Sequence, residues 1–235
     1  MDIHKPKPVH SLREFLSEIA VVVCGIAIAL TGEQVIEALH RNAEVREARE
    51  ALQAEIKVDA GRLVYGIEED KCLLPQLKAY AAWARGGSKP PPFRTYLSGF
   101  NASTWETVKS TAVPLMPIGD RLKVTQFYDN LANAQKVVDL QRSNALVLFG
   151  ADERTKLSEV DAGRVLDAVS VEQHMTDFYQ ANAQSLLKTA RGLGVNAPSI
   201  GPDERAVLDW ECGRGPSDPG GKGGPPSGHP KPGAP

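Results

Sequence analysis

Aromatic residues make up only 6% of this 235-residue chain, and its three cysteines, Cys24, Cys72 and Cys212, lie far apart in sequence. Strand-rich folds lean on aromatic and β-branched side chains, so the first shortage turns the fold towards helix. Zinc sites and CxxC redox pairs need closely spaced thiols, which the second shortage excludes. Charge of one sign is missing too: 27 Lys and Arg stand against 29 Asp and Glu, a net charge of -2. Such a chain has no global field to draw in nucleic acid or an anionic lipid surface. HExxH, GxSxG, Walker A and GxGxxG patterns are all absent, which removes the readable signatures of metallohydrolase, esterase and nucleotide chemistry. The expectation is a non-enzymatic chain with no catalytic residue, no cofactor, no metal and no nucleic-acid partner.

What the chain does have is one long uncharged run, IAVVVCGIAIALTG at 19–32. Ser11-Leu12-Arg13-Glu14 fits a capping box, so a helix is expected to start near Leu12. Phe15, Leu16, Val35 and Ile36 extend the apolar stretch to about twenty residues, the length that crosses a hydrocarbon core. A cleaved signal peptide, with Ala27-Ile28-Ala29 as a weak cleavage pattern, and a buried core helix are the competing readings. Apolar residues on every side of the helix favour a retained single-pass span.

Helical geometry sets Glu14, Glu18, Val22, Gly25, Ala29, Gly32 and Glu33 in one stripe. Gly25-x-x-x-Ala29 is a small-xxx-small spacing that lets two helix backbones approach closely. Glu18, Val22, Gly25, Ala29, Gly32 and Glu33 are therefore the candidate interface, for a homo-oligomer or a partner membrane helix. Interfacial headgroup water is the plain alternative for the two carboxylates. Lys5, Lys7 and Arg13 before the span balance Arg41, Arg46 and Arg49 after it, so the positive-inside rule ties. An inner-membrane location with most of the chain periplasmic is the expected orientation.

Beyond the span, Val45, Ala48, Leu52, Ile56, Leu63 and Ile67 continue at helical spacing, with Glu44, Glu47, Glu50 and Glu55 assigned to the solvated face. Pro75 permits a kink or a break, and Gly86-Gly87 ends the element. Three prolines at 90–92 make a stiff connector, and the aromatics of 93–100 are expected to tuck against the bundle. Ser103-Thr104-Trp105-Glu106 reads as a second capping box opening a short helix that stops before Pro114.

A third helix is expected from about Asp120 to Gly150, burying Leu122, Phe127, Leu131, Ala134, Val138 and Ala145. A fourth, from Thr155 to Leu193, buries Val165, Val169, Met175, Phe178, Asn182 and Leu186. Trp105, Phe127, Tyr128 and Tyr179 read as core or interface anchors. Asp152-Glu153 and Asp203-Glu204 read as acidic helix starts. Glu37-x-x-His40 has the spacing of half a di-iron motif, but no second E-x-x-H exists. Cys72 and Cys212 are either cross-linked in an oxidising compartment or idle thiols.

The division expected is a tail at 1–10, a span at 11–37, a helical extramembrane domain at 38–211 and a disordered Gly/Pro-rich tail at 212–235. The fold class is all-α, a transmembrane helix continuing into a helical bundle.

Glu18-Ile19, the run Val21-Val22-Val23-x-Gly25-Ile26-x-Ile28-Ala29-Leu30, the charged helix after it, Trp105-Glu106-Thr107-Val108-Lys109-Ser110 and Phe127-Tyr128-Asp129 together resemble bacterial single-pass membrane-anchored proteins of unknown function. Ser110-Thr111-Ala112, where a glycine turn would be expected, and the Gly/Pro-rich end depart from that pattern. The resemblance implies an anchor with an external helical domain and carries no catalytic residues. Two roles follow as expectations: a membrane-anchored interaction or scaffold protein, and alternatively an envelope ligand-sensing bundle signalling through a partner.

Overall fold

The computed structural model describes residues 12–214. The Ser11 cap and the Gly/Pro-rich tail from 215 onward lie outside them. Among the described residues the chain is helical throughout, with α1 (Leu12–Ala84), α2 (Ser103–Val108), α3 (Ile118–Asp152), α4 (Glu159–Gly192) and α5 (Pro202–Glu211) joined by turns and extended segments and no strand. Two compact units divide at Arg49 and Glu50, within α1.

The first unit is the apolar N-terminal part of α1. An eighteen-residue window there has a mean hydropathy of 2.1, and none of it is buried by protein. Val21, Val22, Val23, Ile26, Ile28 and Leu30 are all more than half exposed. This is the one helix among the described residues long and apolar enough to cross a membrane.

The second unit is a helical bundle. A six-residue connection at 153–158 joins α3 to α4, and so short a link between long helices makes them antiparallel neighbours. From α3 come Val124, Phe127, Tyr128, Leu131, Ala134, Val138, Ala145 and Leu148, and from α4 Val165, Val169, Thr176, Tyr179, Ala183 and Leu186. Leu52, Ile56, Leu63, Leu73 and Leu77 of α1 complete the core. At one end Tyr80 sets its ring edge-on to Trp83 and Phe93, which seats the start of the proline-rich connector.

Helix boundaries follow local chemistry. Pro75 does not break α1, which continues to Ala84. The proline is exposed, so water can satisfy the carbonyl it leaves without a donor. Gly86, at φ 96°, closes the helix, and Gly87 donates its N–H to the Ala82 carbonyl at 3.0 Å. Ser158 caps α4 by accepting from the Asp161 N–H at 3.1 Å.

Several expected positions are corrected. Leu122 and Phe178 are 62% and 56% exposed, and Met175 and Asn182 are only half-buried. The inward row of α4 runs instead through Glu172, Thr176, Tyr179 and Ala183. Asp152 ends α3 rather than starting a helix, and it accepts from the Tyr80 hydroxyl at 2.9 Å. Asp203 and Glu204 do lie in the first turn of α5, where Glu204 accepts from the Gly201 N–H at 2.8 Å.

Candidate functional site

In the first unit, Glu18, Val22, Gly25, Ala29, Gly32 and Glu33 all lie on one uninterrupted helix and all are exposed. A Cβ built on Gly25 or Gly32 meets nothing within 4 Å. The stripe is thus an open shallow track along the helix. Glu37 pairs with Arg41 at 3.9 Å on the exposed surface, and among the described residues no group of three or more His, Cys, Asp or Glu is placed to hold a metal ion.

The bundle holds a second feature, a set of buried carboxyl groups. Glu55, assigned above to the solvated face, is 6% exposed. Its Oε2 accepts from the Thr104 N–H at 2.7 Å and the Ser103 hydroxyl at 3.2 Å. Its Oε1 accepts from the Trp105 N–H at 3.2 Å and the Tyr128 hydroxyl at 2.7 Å. A side chain of α1 therefore caps α2, doing the work expected of Ser103, and the Trp105 ring stacks on Tyr128 at 4.8 Å. Burial pushes the Glu55 carboxyl up, but the Thr104 N–H, the Tyr128 hydroxyl and the Trp105 N–H together outweigh it and hold the group below its ordinary value. One turn on, Asp59 accepts from Arg62 at 2.9 Å and from the Asn101 N–H at 3.0 Å. Burial nonetheless lifts it to about 6.

Further along α1 the balance reverses. Glu69 accepts from the Thr95 hydroxyl at 2.7 Å and the Tyr96 N–H at 2.5 Å. Even so, burial, with the charges of Glu211 and Asp70, holds it well above the usual carboxylate range. Asp70 is lifted to about 7 by burial and by Asp177, against the pull of Gln180. On α4, Glu172 is lifted to about 8 by burial and by Asp70, with Gln141 of α3 opposing. Glu211 of α5 accepts from the Tyr65 hydroxyl at 2.8 Å and is lifted to about 7 by burial. One oxygen each of Asp59, Asp70, Glu172 and Glu211 is buried without a hydrogen-bond partner. An ionised carboxylate in that position is costly, which raises each of these groups towards its protonated form.

Glu69, Asp70, Gln141, Tyr96 and Tyr179 line a cavity of about 20 Å³, space for one water molecule. The Tyr179 hydroxyl lies over Gly66, leaving no room for a Cβ there. Burial thus raises the carboxyls around the cavity above their ordinary range, and the cavity is too small for an organic ligand.

Cys72 and Cys212 form a disulfide, their Cα atoms 5.1 Å apart, that ties the turn ending α5 to α1. Beside it Val207 and Leu208 pack on Tyr65, and Arg94 lies 4.8 Å over the Trp210 ring while donating to its carbonyl at 2.9 Å. Cys24 is free and exposed.

The sequence reading missed this acidic core, although Glu172 carried a signal. It falls in register with Val165, Val169, Thr176 and Tyr179, at three- and four-residue steps along a buried row. No protein-family model, curated protein or solved structure matches the chain.

Proposed function

We propose that this protein is a membrane-anchored helical scaffold, single-pass in the inner membrane, whose bundle faces the periplasm and whose span assembles with a second copy or a partner helix. The observation that carries the reading is the apolar stretch of α1, exposed on all sides with no protein to cover it. In water that surface would be strongly unfavourable at about 25 cal/mol per Å², and lipid removes the cost. The orientation is supported by the Cys72–Cys212 bond, because disulfides persist outside the reducing cytosol, while the flanking charges favour neither side. Assembly rests on the Gly25–Ala29 track, which leaves room for close backbone approach. The sensing alternative gains no support from the cavity beside Glu69 and Asp70, which has room for only about one water molecule.

The test is alkaline carbonate extraction of membranes carrying the full-length chain, with protease protection of tagged termini and cross-linking of the Gly25→Ile/Ala29→Ile variant. Retention in the pellet, a shielded C-terminus and loss of cross-links are expected. Release as a soluble monomer would overturn the anchor, and unchanged cross-links would remove the span as the interface.

A further inference from the structure

The short helix α5 is held on α1 in an unusual way. Its apolar contribution is small, Val207 and Leu208 against Tyr65 with Ile200 at the margin. Its third buried side chain is Glu211, 3% exposed, whose charge, after burial, helps to raise the buried Glu69 carboxyl. Two carboxylates facing across a helix interface repel when both are ionised, and burial leaves little solvent to screen them.

The neighbours do little to offset that repulsion. From α1 the groups facing the pair are the Tyr65 hydroxyl, which donates to Glu211, and the acidic Asp70. From α4 comes Tyr179, whose hydroxyl is pushed up by burial and then by Asp70 and Glu69. The extended segment contributes the Thr95 hydroxyl and the Tyr96 N–H to Glu69. Its cation, Arg94, is engaged with the carbonyl and ring of Trp210. On α5 itself Arg214 pairs with Asp209 at 3.3 Å. The unpartnered Oε1 of Glu211 is the one carboxyl oxygen of the Glu69–Glu211 pair left buried without a donor. The Cys72–Cys212 bond then fastens α5 one residue beyond Glu211.

We propose that α5 is a releasable strap, seated on α1 only while the Glu69–Glu211 pair carries protons or the Cys72–Cys212 bond is intact, so that reduction and deprotonation together lift it from the bundle. Either hold alone keeps it down. With the bond closed, the strap is tethered whatever the protonation of the carboxyls. With the bond open and the pair protonated, Tyr65, Val207 and Leu208 still close the contact. Loss of both exposes the Tyr65 face of α1. In the reductive step a dithiol reagent delivers two electrons and two protons to the Cys72 and Cys212 sulfurs and leaves as its own cyclic disulfide. The geometry of the strap does not depend on membrane attachment, so its test stands apart from that of the anchor.

The experiment is amide hydrogen exchange of the full-length chain in detergent micelles, oxidised and reduced, at pH 6 and pH 9, corrected for intrinsic exchange. Protection across 204–211 is expected to fall at least about tenfold on reduction at pH 9 and not at pH 6, while α3 and α4, which weaken with pH in both redox states, lose no more on reduction. Glu69→Gln/Glu211→Gln is expected to restore α5 protection in that condition. The wild-type comparison needs no variant and decides alone if the double variant fails to fold. No fall in α5 protection on reduction at pH 9, or an equal fall on reduction across α3 and α4, would overturn the strap.

Discussion

Glu55 shows how one side chain can organise its surroundings. It satisfies two backbone N–H groups of α2, the Ser103 hydroxyl and the Tyr128 hydroxyl, all in a setting water barely reaches. Hydrogen bonds to a charged acceptor contribute about 1.5–3 kcal/mol each before losses elsewhere, and stranding their donors adds a desolvation cost. Glu55→Ala is therefore expected to destabilise the bundle by about 3 kcal/mol, and Glu55→Gln by less, because its amide oxygen still accepts. Guanidinium unfolding of the full-length chain in detergent would measure both. An alanine variant within 0.5 kcal/mol (about the error of such a comparison) of the parent would contradict the capping role.

At the scale of elements, most helices were legible because their cause is local. The apolar row of α1 and the Gly86 stop are written in spacing and cap chemistry, whereas α4 starts at Glu159, four residues beyond the expected Thr155. What the sequence hid depends on partners distant along the chain. Glu55 looks like one more charge on a solvated helix until α2 folds over it, and Leu122 fits the inner row of α3 until the neighbours leave it bare. Whether Cys72 and Cys212 meet is decided by the path of the whole chain across a sequence separation of 140.

The packing of α1 on α4 was equally out of view, since it turns on Gly66. A Cβ there would come within 2.8 Å of Tyr179 Cε1 and 2.9 Å of Cζ, so the ring itself would have to move. Overpacking of this kind costs about 1–3 kcal/mol, against the fraction of a kcal/mol that alanine returns through helix propensity. Gly66→Ala should lower the melting temperature, and adding Tyr179→Leu should recover part of the loss. A Gly66→Ala protein as stable as the parent would show that the two helices separate freely here.

For the whole molecule the buried acids set a pH dependence whose sign can be worked out. Asp59, Asp70, Glu211 and Glu172 have folded-state values raised to about 6, 7, 7 and 8, and Glu69 is raised with them. A raised carboxyl binds its proton more tightly when folded, so its contribution is fully present below the unfolded value near 4. That contribution is lost as pH climbs through the folded value. Between pH 5 and pH 9 the bundle should therefore weaken continuously, by several kcal/mol in order of magnitude when the groups are taken together. Glu55 acts in the opposite direction: lowered in the fold, it stabilises above its unfolded value, and that support fades in stronger acid. The two trends place the stability maximum near pH 5, below the neutral optimum that surface ion pairs would give. Unfolding midpoints of the oxidised full-length chain at pH 4, 5.5, 7 and 9 would trace the curve. Glu172→Gln, uncharged at every pH and still able to meet Gln141, should flatten its alkaline side. A midpoint at pH 9 equal to or above that at pH 5.5 would mean that these carboxyls ionise in place without penalty, and that water reaches the bundle core.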